Sequence, residues 1–241
     1  MKQTYKTIGL YVPSYKRADK IMTQNILNDC TYVVRKSQEE EYRKSGVKKI
    51  LAAPDEEIDS LPKVRQWIID NTPEDIVIQL DDDIERFSYA NKNNIVVIDD
   101  KDTVDMELER VAQLLSDLDI GFAALPMQEN VLKYTREFSF KSTIGLVCWF
   151  NKEGLKKSRY DPGIKFKADI DFELQELLHN RIMLIPEYLR AKATYDRNKG
   201  GNSETKNSRT VNEAVEYMNR KWGKYYSHNF KNNTSKVNVK R

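Results

Sequence analysis

Along its first third the chain alternates short, β-branched apolar runs with stretches of helical spacing. Thr7-Ile8-Gly9-Leu10-Tyr11-Val12-Pro13 reads as a strand, closed by a proline that cannot extend a central ladder. Asp19 to Asn28 has helical spacing, with Ile21, Met22, Ile26 and Leu27 as its apolar members. Thr31-Tyr32-Val33-Val34 is a second strand. Ser37-Gln38-Glu39-Glu40 is a capping-box pattern that opens a helix running to Lys44, which Gly46 stops. Lys49 to Pro54 is a third strand, and Leu61-Pro62-Lys63 leads into a helix from Val64 to Asp70. This alternation predicts an α/β fold with a mostly parallel central sheet and helices on both faces.

The fourth strand changes the picture. In Asp75-Ile76-Val77-Ile78-Gln79-Leu80-Asp81-Asp82-Asp83, a buried-strand run ends abruptly in three carboxylates. Desolvating each of them unpaired would cost several kcal/mol or more, so they belong at the strand's open C-terminal mouth. In open α/β sheets that is where ligands bind. Adjacent acids repel unless a cation shares them, and hard ions such as Mn2+ or Mg2+ take one or two carboxylates plus substrate phosphates. The bland alternative is a solvated acidic turn.

Beyond Phe87 the pattern predicts a hairpin around Asn91-Lys92-Asn93-Asn94, with Phe87-Ser88-Tyr89 and Ile95-Val96-Val97-Ile98 as its arms. A helix from Val104 to Leu118 follows, capped by Asp102-Thr103, with Met106, Leu108, Val111, Leu114 and Leu115 facing the core. Further strands are expected at Phe122–Pro126, Phe138–Phe140, Leu146–Phe150 and Arg181–Pro186, with a helix from Asp171 to Leu178. One more helix, Val211 to Trp222, precedes an Asn/Lys-rich end that reads as a loose tail from His228 to Arg241. The expected division is a catalytic domain over 1–196 and a basic, helical C-terminal extension over 197–241.

Composition adds limits. With 241 residues, 39% of them hydrophobic and 32% charged, the chain has room for one large α/β domain plus an appendage. No apolar run reaches the roughly 20 residues of a membrane span, and the first residues carry no signal-peptide pattern, so a soluble, cytoplasmic protein is expected. Cys30 and Cys148 sit in apolar contexts, which excludes a disulfide framework, and the two histidines, His179 and His228, make no zinc pattern. The net charge is only +3, but basic residues outnumber acids from Lys192 onward, a bias suited to a polyanion and to nucleic acid in particular. A solvated tail explains that bias equally well.

Five segments carry candidate chemistry. In the loop after the first strand, Pro13-Ser14-Tyr15-Lys16-Arg17, a tyrosine can stack on a base and an arginine can grip phosphate. Lys63 and Arg65 open the helix before the acidic strand, where a cation opposes the helix dipole unless an anion lies near. The third is the acidic turn itself. In Ala168-Asp169-Ile170-Asp171-Phe172-Glu173, either aspartate is a helix cap or a general base facing the metal. Tyr195-Asp196-Arg197-Asn198-Lys199-Gly200-Gly201-Asn202 offers Asp196 as a further metal ligand, or a glycine-hinged lid.

The order of these features resembles the GT-A glycosyltransferases, nucleotide-sugar-dependent enzymes built on one Rossmann-like domain. Val12-Pro13-Ser14-Tyr15-Lys16-Arg17 is similar to their base-binding loop, and Leu61-Pro62-Lys63-Val64-Arg65-Gln66-Trp67 to the helix that presents a basic residue to the diphosphate. Ile78-Gln79-Leu80-Asp81-Asp82-Asp83 is similar to their strand ending in Asp-x-Asp. Lys167-Ala168-Asp169-Ile170-Asp171 resembles the segment carrying the catalytic base in inverting members, with Ala168 where a Glu is usual. Within this fold the chain resembles the TET-associated glycosyltransferases of bacteriophages, which act on hydroxymethylated pyrimidines in DNA. The resemblance implies Asp81, Asp83 and Asp196 as ligands of Mn2+ or Mg2+. It implies Pro13, Ser14, Tyr15, Arg17, Lys63, Arg65 and Asp82 around a nucleotide sugar, with uridine the expected base. It implies Asp169 or Asp171 as the base, DNA carrying hydroxymethylated bases as partner, and the host cell cytoplasm as the place of action. Arg197, Arg209, Lys221 and Lys224, with Trp222, Tyr225 and Tyr226, are the residues expected to hold the DNA strand. Two alternatives stay open: a polysaccharide or protein acceptor, and a non-catalytic nucleic-acid-binding protein. A nucleotidyltransferase is disfavoured, since no glycine-rich loop follows the first strand.

Overall fold

The computed structural model describes residues 6–129, 135–141, 144–194 and 207–240. Its centre is a six-stranded sheet. The strands are β1 (Ile8–Pro13), β2 (Thr31–Arg35), β3 (Ile50–Ala53), β4 (Ile76–Leu80), β7 (Phe122–Pro126) and β9 (Ile144–Asn151), in the order β3-β2-β1-β4-β9-β7. The first four run parallel, and β9 is antiparallel to both of its neighbours. A second, three-stranded sheet joins β5 (Ile84–Asn91), β6 (Asn94–Ile98) and β11 (Leu189–Ala193).

The period-2 alternation of each central strand separates two cores. Val12, Tyr32, Val34, Ile76, Ile78, Leu80 and Trp149 face one cluster with Leu108, Val111 and Leu115 of α3 (Lys101–Asp117) and with Tyr42 of α1 (Glu39–Lys44). Tyr11, Val33, Val77, Cys148 and Phe150 face the other. There they meet Val64 and Ile68 of α2 (Leu61–Asn71), Phe172 of α4 (Ala168–His179) and Val215 and Met218 of α5 (Ser208–Trp222). Helices on both faces are what strands with two apolar sides require. Gly121 and Gly154 let two turns touch, since a Cβ on Gly121 would stand 2.4 Å from the Gly154 carbonyl oxygen.

Several local readings change. Asp19–Asn28 forms only a 3-10 turn at Thr23–Asn25, because Thr23 is drawn away to hold the acidic turn. Ser37 makes no capping box: its Oγ donates to Asp55 Oδ2 at 2.5 Å and its N–H to Oδ1. The cap of α3 is Asp100, which accepts from the Thr103 N–H at 2.9 Å, and Met106 lies on the exposed face. Of the expected strand at Arg181–Pro186, Ile185–Pro186 pairs as β10 with β8 (Phe138–Ser139) and Leu184 bridges to Ala123 of β7, while the sequence reading places no strand at β11. The segment read as a loose tail contains a hairpin, β12 (Tyr226–Asn229) and β13 (Thr234–Val237). Both cysteines are buried and free.

Glu176 of α4 is wholly buried, accepting from Asn180 Nδ2 at 2.8 Å, and burial pushes its pKa up to about 7. Between the ordinary carboxylate range and pH 7 the folded chain therefore holds a proton that the unfolded chain has lost, so this group's contribution falls as pH rises through that window. Glu176→Gln should gain on the wild type between pH 5 and pH 8, by about 3 kcal/mol at most. Urea unfolding at the two pH values measures this, and parallel shifts in both proteins would contradict it.

Candidate active site

Asp81, Asp82 and Asp83 link β4 directly to β5, at the C-terminal mouth of the parallel strands and beside the loop after β1. The backbone of this turn is held by Thr23, which is fully buried. Thr23 Oγ1 donates to the Asp81 carbonyl at 2.6 Å and accepts from the Ile84 N–H at 3.2 Å. Its own N–H donates to the Asp82 carbonyl at 3.4 Å.

The three carboxylates have different partners. Asp82 is buried and accepts from Ser14 Oγ at 2.5 Å and from Arg17 Nη1 at 2.6 Å. The same Arg17 nitrogen stands 3.5 Å from Asp83 Oδ2. Asp81 Oδ1 accepts from Arg65 Nη2 at 2.7 Å. Arg65 reaches across from α2 through the core, 3.9 Å from Cys148 Sγ and 3.5 Å from the Tyr160 hydroxyl. Burial works against the charge of Arg17, but Asp82 and then Asp83 hold its pKa above the ordinary value. For Arg65 burial is likewise opposed, by Tyr160 and Asp81, and the net direction is up. Asp81 opens to solvent with 34% of its side chain exposed, yet the protein packed around it raises its pKa despite Arg65. Burial pushes the Cys148 thiol up to about 12, which leaves it protonated and unreactive.

The loop after β1 is tied to the same cluster. Pro13 ends β1, and the Ser14 N–H donates to the Val33 carbonyl at 3.1 Å. The Tyr42 hydroxyl of α1 is its hub, 2.7 Å from Ser14 Oγ and accepting from the Arg17 N–H at 3.0 Å. Tyr15 lies outside this network, its ring stacked 4.1 Å from the Arg35 guanidinium. Lys63 pairs with Asp59 at 2.6 Å rather than with the acids of the turn.

α4 brings the second set of carboxylates. Its base rests on an aromatic cluster in which Phe172 lies 5.1 Å from Phe122 and 4.7 Å from Tyr160, centroid to centroid. Asp169, in the first turn and half-buried, is close enough to the acidic turn for its charge to act on Asp81, Cys148 and Tyr160. Asp171 has no exposure. It accepts from Trp222 Nε1 at 2.7 Å, from Gln175 Nε2 at 2.7 Å and from Lys221 Nζ at 2.9 Å. The two aspartates thus divide: the charge of Asp169 acts on the acidic turn, and Asp171 locks α5 onto α4. One turn below Asp169, Glu173 is buried, and burial followed by the charge of Asp169 raises its pKa well above the carboxylate range. Asp196 and its neighbours from Tyr195 to Asn202 lie outside the described residues.

Among the described residues no group of three or more His, Cys, Asp and Glu side chains forms a closed metal cage. Asp81 and Asp83 instead offer hard oxygen donors at an open mouth. Such a donor set fits a cation that shares its shell with phosphate oxygens. A family model described as TET-associated glycosyltransferase matches residues 8–201.

The chain belongs to the TET-associated glycosyltransferase family.

Three solved structures illustrate what the chain is similar to, and the first of them shows the fold. Glucosyl-3-phosphoglycerate synthase from Mycobacterium tuberculosis, solved with Mn2+, uridine diphosphate and phosphoglyceric acid, superposes with a TM-score of 0.55 at 11% identity, over 96% of this chain and 86% of that one. A mannosyltransferase from Pyrobaculum calidifontis, solved with GDP-mannose and Mn2+, gives 0.45 at 11% identity, over 70% and 52% of the two chains. S. aureus TarS gives 0.46 at 12%, over 90% and 72%. A search of curated protein sequences finds no match. The synthase alignment assigns the glycosyltransferase to the GT-A fold.

Sequence reading missed Thr23, Tyr42, Tyr160 and Glu173. Nothing local marks Thr23 or Tyr42, whose partners lie 58 and 28 residues away. A signal for Glu173 was available, since an acid four residues after Asp169 shares its helix face. Thr23→Val keeps the side chain's shape but leaves the Asp81 carbonyl and the Ile84 N–H of the turn without partners. It should cost about 1–3 kcal/mol in urea unfolding, whereas Thr23→Ser keeps most of that stability. Equal stability of the two variants would remove Thr23 from this role.

Proposed function

We propose that this glycosyltransferase moves a sugar from a nucleotide-sugar donor, UDP-linked in the first instance, to the hydroxymethyl group of a pyrimidine in DNA. The observation that carries the reading is the acidic turn with its two guanidiniums standing within electrostatic reach of Asp169. The acceptor is supported by membership of the family and by the basic C-terminal segment.

In this reading the nucleoside lies over Pro13, Ser14 and Tyr15. Asp82 orients that loop through Ser14 and Arg17. Arg17 and Arg65 supply fixed positive charge beside the departing diphosphate. Asp81 and Asp83 hold Mn2+ or Mg2+, which when bound supplies Lewis-acid stabilisation to the diphosphate. Asp169 takes the proton of the acceptor hydroxyl as its oxygen bonds to the anomeric carbon and the bond to the diphosphate oxygen breaks with its electron pair. Asp196 remains the proposed further ligand. Among the described residues no helix is long and apolar enough to cross a membrane. The host cell cytoplasm is the proposed place of action.

Asp83→Ala should abolish metal-dependent release of nucleoside diphosphate from a UDP-sugar. Asp169→Asn should lower transfer to hydroxymethylcytosine DNA by about 10²- to 10⁴-fold without moving the unfolding midpoint. Asp171→Asn should instead lower stability, by roughly 1–3 kcal/mol because Lys221 keeps contact with water. A coupled assay for released diphosphate and thermal unfolding read these together. Undiminished transfer by Asp169→Asn would reject it as base, and release that ignores the modified DNA would reject the acceptor.

A further inference from the structure

The C-terminal hairpin has two unlike faces. Tyr226, His228, Ser235, Val237 and Val239 point inward, where Tyr226 joins the core cluster of Phe172 and Met218. The Tyr226 hydroxyl and His228 Nδ1 both meet Ser235 Oγ at 2.9 Å. The outer residues Ser227, Asn229, Thr234, Lys236 and Asn238 are exposed. Around them Tyr225 is 46% and Phe230 63% exposed, the latter edge-on to His228. From Tyr217 to Arg241 the sequence carries seven lysines and arginines and no acid. Of these, Lys221 is taken up by Asp161 and Asp171. Lys224, Lys231, Lys236 and Lys240 are exposed, and no ion pair is formed by any of them among the described residues.

The hairpin also stands beside the chemistry. β13 packs against α4, and Lys141 Nζ donates to the Val239 carbonyl just beyond it. Tyr226 lies close enough to Asp169, and His228 to Lys167, to feel their charges. The inner face of the hairpin therefore lies against the first turn of α4.

We propose that the outer face of the β12–β13 hairpin, with Lys231, Lys236, Lys240 and Phe230, is a docking surface for the nucleic-acid acceptor. This rests on the acceptor reading above. The lysines take backbone phosphates and the exposed aromatic offers a face to an unstacked base. Trp222 and Lys221, expected from sequence to hold the strand, serve instead to fix α5 to Asp171.

The test uses the full chain and a fluorescein-labelled duplex carrying hydroxymethylcytosine, with affinity measured from 50 to 200 mM salt. Replacing Lys231, Lys236 and Lys240 together by Ala should remove about three phosphate contacts. The wild type should then lose about 40-fold more affinity across that range than the variant. A control triple variant at Lys44, Lys48 and Lys157 should keep the wild-type slope, and both variants should release nucleoside diphosphate from the donor at the wild-type rate. Equal slopes in wild type and hairpin variant would overturn the docking surface while leaving the acceptor reading intact. A wild type that hydrolyses donor but does not bind the duplex would overturn the acceptor reading and the surface with it. Equal competition by poly(glycerol phosphate) would overturn nucleic acid as the partner of this face.

Discussion

Three adjacent carboxylates at the end of a buried strand are the constraint around which the molecule is arranged. Like charges this close raise one another's cost, and burial raises it further. The chain meets that cost from opposite directions. Arg17 arrives from the loop after β1, and Arg65 arrives through the core from α2. Neither arginine alone spans the turn, which is why β1, α2 and β4 must be neighbours for the cluster to exist. Thr23 supplies what charge cannot, satisfying the backbone of a turn too tight to bond to itself.

A second consequence concerns the division of labour on α4. Asp169 and Asp171 are two residues apart, so on a helix they point in different directions. One direction leads toward the acidic turn and the other to α5. The aromatic packing of Phe122, Phe150, Tyr160 and Phe172 fixes the rotation of the helix, and so decides which aspartate goes where. The C-terminal helix and hairpin are therefore not passive additions. By engaging Asp171 through Trp222 and Lys221, α5 contributes to the setting of Asp169, and the hairpin completes the wall beside it.

The central sheet was legible because its strands obey a simple rule. Each is short and mostly apolar, β1, β3, β4 and β7 end at a proline or an acid, and the alternation of strand with helical spacing leaves few topologies. The acidic turn was legible for a related reason, since three carboxylates after Leu80 have no place inside a core. Readings failed where a side chain's partner was remote. Ser37 looks like a cap until Asp55 is seen beside it, and the stretch around Thr23 looks helical until the turn claims it. The β12–β13 hairpin is made of short, mostly polar strands whose pairing comes from neighbours rather than from their own pattern, and β11 alternates but is only five residues long.

By itself, then, the sequence determined the α/β alternation, the mouth at which the acids gather, and the basic character of the C-terminus, because each follows from local burial and charge. Tertiary structure alone decided which cation meets which acid, which aspartate of α4 turns toward the acidic turn, and that Lys221 and Trp222 are structural while Lys231 and Lys236 stay exposed. These are matters of direction between elements distant in the chain. Residue type and spacing state what a side chain is able to do, but only packing decides what it is pointed at.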